Sequence, residues 1–170
     1  MRALGAVAII AFLAFGCSPL PPSSQTASKS SPSAKPLTMS GGCGSTPIFK
    51  GGAPAWMLQL EGPSVYTDVT PYALASPPMA AAVIFGYPLR AGHPQNPDNK
   101  VLWLVSLPPR AGSLEIAAHL VGTDTPLVSQ SAAFLASGDI PSIIDMPQPG
   151  CWQFDLSWSG HHTVIELQYQ

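Results

Sequence analysis

The sequence predicts an all-β fold, an antiparallel β-sandwich of about seven short strands occupying residues 43–170. Three observations predict it. Prolines recur through this region, and no window carries a long helical period. Several short runs alternate apolar with polar residues, as in a strand with one buried and one wet face. Turn-forming residues separate the runs, and two packed antiparallel sheets accommodate that many short strands in 128 residues.

Residues 56–60 form the first candidate strand, and Trp56, beside Pro54, is a candidate exposed platform. Residues 80–85 and 101–107 are apolar on both faces, which suits central strands covered from two sides. In residues 114–120, Leu114, Ile116, Ala118 and Leu120 alternate with Glu115, Ala117 and His119. Residues 125–134 and 140–145 carry a fainter strand pattern. In residues 151–158, Trp152, Phe154, Leu156 and Trp158 alternate with Gln153, Asp155 and Ser157. In residues 163–169, Thr163, Ile165, Leu167 and Tyr169 share one face. A two-residue turn with Gly160 at its first central position joins the last two strands. It places Trp158 opposite Thr163, Leu156 opposite Ile165, Phe154 opposite Leu167 and Trp152 opposite Tyr169, every pair on one face.

The pattern resembles an immunoglobulin-like or fibronectin-like domain, with Pro147, Gln148, Pro149 and Gly150 leading into the penultimate strand. That likeness implies an architecture and carries no activity.

Ahead of the domain, Arg2 precedes an apolar run over residues 3–15. A basic end, a short apolar stretch and small residues are the layout of a secretory signal peptide, here residues 1–16. Thirteen residues fall short of the roughly 20 that a membrane-spanning helix needs. Gly16-Cys17 resembles the processing point of bacterial lipoproteins, although Ala14 and Phe15 depart from the residues that family prefers. The resemblance implies that Cys17 receives a diacylglyceryl group and becomes the new N-terminus. It also implies an extracytoplasmic protein anchored to the cell membrane or outer membrane. Two or three acyl chains, at about 0.8 kcal/mol per buried methylene, give a stable anchor.

With Cys17 lipidated, Cys43 and Cys151 remain, either as separate thiols or bonded to each other. An oxidising compartment favours the bond. Because Cys151 alternates with Trp152, such a bond lies on the outward face or at the strand's end, pinning the start of the domain rather than the core. Between anchor and domain, residues 17–42 are rich in Ser, Pro, Thr, Ala and Lys and predict a disordered linker. Its reach is about 25–30 Å.

The domain carries four basic and nine acidic residues, a formal charge of −5, so no basic patch for nucleic acid is expected. Catalytic motifs such as Gly-x-Ser-x-Gly or His-Glu-x-x-His are absent from the sequence, and no cofactor is expected. Polar loop residues His93, Gln95, Asn96, Asp98 and Asn99 are candidates for a binding loop on a rigid scaffold. His161 and His162 offer imidazoles for copper or zinc, with help from His93 or Met146. Neighbours on a strand point to opposite faces, however, so that pair alone chelates poorly. His119 is expected to be solvated. Taken together, these residues lead to the expectation of a lipid-anchored, non-catalytic binding or structural module, its partner a protein or surface ligand. The alternative is an envelope metal-binding protein using His161, His162 and His93.

Overall fold

Ten strands and one short helix make up the fold. The computed structural model describes residues 35–61, 69–92, 99–107, 112–135 and 137–170. In chain order the elements are β1 (Leu37–Cys43), β2 (Thr46–Lys50), α1 (Ala55–Glu61), β3 (Tyr72–Leu74), β4 (Ala80–Ile84) and β5 (Lys100–Val105). Then come β6 (Ser113–Leu120), β7 (Val128–Ala133), β8 (Asp139–Ile143), β9 (Gly150–Trp158) and β10 (His161–Tyr169). The strands hydrogen-bond in the order β7-β6-β9-β10-β1-β2-β3-β4-β5-β8, every pair antiparallel.

The expected all-β antiparallel class is therefore observed, with ten described strands where about seven were expected. The sheet nearly closes into a barrel. Ser76 and Val164 exchange backbone hydrogen bonds of 2.8 and 3.3 Å, and the Gln170 N–H donates to the Leu89 carbonyl at 2.9 Å, tying β10 to the opposite wall. The end strands β7 and β8 are joined by a short turn in which the Leu135 N–H donates to the Asp139 carbonyl at 3.0 Å.

Alternation decides where the core sits. In β4, Ala80, Ala82 and Ile84 face the main core, and Ala81 and Val83 face the other way. In β5, Val101, Trp103 and Val105 point inward while Leu102 and Leu104 point outward. The outward set is covered by α1, whose Met57 is buried and whose Trp56 and Leu60 pack alongside it. Both strands are thus buried on two faces, as their continuous apolar runs predicted. The main core closes where the two halves of the sheet meet. The Trp103 and Phe154 rings lie 5.5 Å apart, and Phe154 and Tyr169 lie 6.3 Å apart.

Four expectations are corrected. Residues 56–60 belong to α1 rather than to a strand. Met, Leu and Gln favour helix over strand, and Pro54 accepts the Leu58 N–H at 3.3 Å to start the first turn. Trp56 is half-buried against the sheet and so is no exposed platform.

The boundary at residue 43 also moves. Residues 37–42, expected in the linker, lie in β1. Most of that strand is exposed, and what holds it is its backbone. Leu37, Thr38 and Met39 pair with Lys50, Phe49 and Ile48, and Gly42 pairs with Leu167 of β10. Composition reports side-chain burial and is blind to such pairing. Gly41, at φ +95°, supplies the left-handed residue that the irregular register between Met39 and Cys43 requires.

Finally, the β9–β10 hairpin is present but shifted by two residues. Trp158 pairs with His161, Leu156 with Thr163, Phe154 with Ile165 and Trp152 with Leu167. Ser159 (φ 44°) and Gly160 (φ 80°) are the two central residues, the type I′ conformation whose twist matches the flanking strands. A shift of two preserves side-chain parity, so the same residues are buried as predicted.

Candidate functional site

The outward face of β7, β6, β9 and β10 is polar, and among the described residues no helix packs on it. Its geometry follows from the register. Directly opposite residues share a face, so Ser131, Glu115, Ser157 and His162 form one row across four strands. The next row is Ser129, Ala117, Asp155 and Val164. Below it lie His119, Gln153 and Glu166. Ala117 contributes only a methyl group in the middle of these rows. The result is a shallow depression of about 310 Å³ above it, bordered by Glu115, Ser129, Ser131, Asp155 and Ser157. Toward the β9–β10 turn it adjoins a second hollow that shares Glu115 and Ser157 and reaches His161.

Two carboxylates organise this face. Asp155 lies between two imidazoles, with His119 Nε2 at 3.2 Å from one oxygen and His162 Nε2 at 3.5 Å from the other. Contrary to the solvated placement expected for it, the His119 side chain is only 12% exposed, whereas His162 is 59% exposed. His161 points the other way, its ring 5.5 Å from that of Trp158. The adjacent histidines therefore do occupy opposite faces. Met146, considered as their helper, is buried in the main core. Among the described residues, no group of three or more His, Cys, Asp or Glu side chains is arranged to hold a metal ion.

Glu115 accepts hydrogen bonds from Ser113 Oγ at 2.6 Å and Ser131 Oγ at 2.7 Å. The Ser113 bond, then the Ser131 bond, holds its carboxyl below the ordinary carboxylate range. Both bonds favour the charged form. Their contribution is therefore complete above the ordinary glutamate pKa and is lost as pH falls through the lowered one. A carboxyl NMR titration is expected to place the Glu115 midpoint below that of a free glutamate. Ser113→Ala/Ser131→Ala should return it upward, and a midpoint unmoved by both substitutions would contradict this assignment.

The disulfide borders the same face. Cys43 and Cys151 are bonded, with Cα atoms 5.7 Å apart and 108 residues between them in sequence. The bond joins the end of β1 to the start of β9. Both the N–H and the hydroxyl of Ser45 donate to Glu166 of β10, and Thr46 Oγ1 accepts the Glu166 N–H at 3.0 Å. As expected, the bond pins the start of the domain at a half-exposed position outside the core.

Of the candidate loop residues, His93, Gln95, Asn96 and Asp98 lie outside the described residues, as does Cys17. Asn99 is described, fully buried, and turned inward. Its carbonyl accepts the Arg90 N–H at 3.0 Å, and its amide donates to the Arg90 carbonyl at 2.6 Å and to Asp145 at 2.9 Å. All these groups are satisfied within the fold, so Asn99 fixes the loop's base and is not free to meet a ligand. Nearby, burial and then the charge of Asp145 push the Tyr169 hydroxyl well above its ordinary pKa, and that hydroxyl donates to the Ile144 carbonyl at 3.0 Å.

Comparison with protein-family models, curated proteins and solved structures finds no match to this chain. Among the described residues, no helix is long and apolar enough to cross a membrane.

Proposed function

We propose that the chain is an extracytoplasmic lipoprotein, anchored through Cys17, whose β-domain is a non-catalytic binding module. The open face of β7, β6, β9 and β10 is its contact surface. The observation that carries this reading is that face itself, where Glu115, Asp155, His119, His162 and three serines stand in register on a broad surface. Flat polar faces suit recognition of a protein or surface ligand by hydrogen bonding. The Cys43–Cys151 bond supports an oxidising compartment. The Trp103–Phe154 contact between the two halves supports a sandwich-like reading of the architecture, with any immunoglobulin-like kinship confined to that packing.

The test uses native cells. Cys17→Ala is expected to move the protein from the membrane fraction to the soluble fraction. A photocrosslinker at Ser157 should give discrete adducts that Glu115→Ala/His162→Ala removes without lowering Tm, and a crosslinker at Gln59 on α1 should not. Continued membrane retention of Cys17→Ala would defeat the anchor, and equal labelling from Ser157 and Gln59 would defeat the contact surface.

A further inference from the structure

We infer that the end of the β-domain where the chain enters is a membrane-contact rim, seated on the headgroups of an anionic bilayer. The inference rests on the anchored reading above, because it concerns how an anchored chain is oriented. Neighbouring strands run in opposite directions. The starts of β1, β3, β5, β7 and β9 therefore share one end of the sheet with the ends of β2, β4, β6, β8 and β10. The described chain begins at Lys35, two residues ahead of β1, so everything upstream, Cys17 included, joins the fold at this end.

Two independent features collect there. The first is exposed apolar surface. Of the eight large hydrophobic residues exposed among the described residues, six belong to this end. Leu37 starts β1, Val69 precedes β3, Phe85 follows β4, Ile143 ends β8, and Val121 and Leu127 flank the β6–β7 turn. Leu107 and Leu135 stand at the other end. Apolar side chains gathered in this way mark a surface that meets a membrane or a partner.

The second feature is positive charge. All four described lysines and arginines, Lys35, Lys50, Arg90 and Lys100, stand at this end. Lys50 pairs with Leu37, and Lys100 pairs with Ile143. Arg90 is bonded through its N–H and carbonyl to Asn99, the neighbour of Lys100. Lys100 Nζ lies 5.1 Å from the centre of the Phe85 ring, which joins a cation to an apolar group. Among the described residues the ion pairs are those of Asp155 with His119 and His162, so no described carboxylate neutralises these four cations. Asp145, beyond β8, accepts the Asn99 amide at 2.9 Å, and Asp124 lies on the β6–β7 turn, away from the basic strands. Asp68, Asp98 and Arg110 lie outside the described residues.

Connectivity and charge name the occupant. Cys17 stands 18 positions ahead of Lys35, so its acylation ties the bilayer to this end of the domain. Anionic phospholipid supplies the counter-charge, and the headgroup–acyl boundary takes up the apolar side chains between the cations. The rim orients the chain and does not replace the acyl anchor, so Cys17→Ala still leaves the membrane.

The test uses the lipidated full chain in vesicles of phosphatidylcholine, with or without phosphatidylglycerol. Cys43 and Cys151 are bonded and Cys17 is acylated, so Ile143→Cys or Leu107→Cys provides a single thiol for a bimane label. With phosphatidylglycerol present, a headgroup-bound spin label should quench residue 143 at least about three-fold more than residue 107. Lys50→Glu/Arg90→Glu/Lys100→Glu should erase that contrast with unchanged Tm. In the unreversed chain, salt at about 1 M, where the screening length is about 3 Å, should erase it as well. Flotation reads the anchor separately. A chain that floats with neither lipid mixture would strike the anchored reading and this inference with it. Flotation with equal quenching at residues 143 and 107 would overturn the rim alone, as would an undiminished contrast on phosphatidylcholine without phosphatidylglycerol.

Discussion

Removing the Cys43–Cys151 bond is expected to lower the unfolding free energy by about 3–5 kcal/mol. The bond closes a loop of 108 residues, long enough that the unlinked denatured chain gains much entropy. Both cysteines are half-exposed and stand outside the core, so Cys43→Ala/Cys151→Ala leaves no cavity to confuse the measurement. The loss should therefore appear as a drop in urea midpoint, with a larger m-value as the unlinked chain exposes more surface. Hydrogen exchange should quicken first in β1, whose residues are mostly exposed and held mainly by their backbone. A change below about 1 kcal/mol in the double variant would show that the bond does not constrain the denatured chain as the loop-entropy account requires.

Trp103→Ala should have a comparable effect, about 3–5 kcal/mol. Trp103 is fully buried in β5, and its ring meets Phe154 from the opposite half of the sheet. Its indole N–H donates to Ser142 Oγ at 2.7 Å, inside the core. Truncation removes the Trp103–Phe154 ring contact and deprives the buried Ser142 hydroxyl of the indole. Ser142→Ala isolates the polar part by leaving the indole N–H unsatisfied, at about 1–3 kcal/mol. Urea denaturation of both variants separates the packing loss from the hydrogen-bond loss. Equal effects would mean that the ring contributes little beyond its N–H, contrary to the packing described.

What the sequence made legible was what alternation and turns encode. β6, β9 and β10 appear with the buried faces that their patterns predicted, and β4 and β5 are covered on both sides as their apolar runs required. The elements that escaped are those held by backbone pairing or by distant partners. β1 is mostly exposed, β2 alternates over only a few residues, and β3 has just three residues. Residues 56–60 are too short to separate helix from strand by period, and only side-chain propensity marks them as helix. The candidate face was missed for a related reason. Glu115, His119, Asp155 and His162 are separate polar positions in one dimension, and they become neighbours only once the β6–β9–β10 register is known. His119 looked solvated because its partner, Asp155, lies 36 positions away in sequence. Asn99 misled in the opposite sense: a polar loop residue looks available until its burial shows its amide engaged by the backbone and Asp145.

The position of β1 governs how the domain bears tension. A pull applied ahead of Leu37 does not peel an outer strand, because β1 is bonded on one side to β2 and on the other to β10. Should those backbone bonds shear, extraction halts at Cys43, where the sulfur bridge carries the load straight into β9. The 108-residue span enclosed by the bridge is bypassed by that force and keeps its shape. Stretching single molecules from the N-terminal side should accordingly release only a few residues before the trace stiffens, and a reductant should abolish that stop.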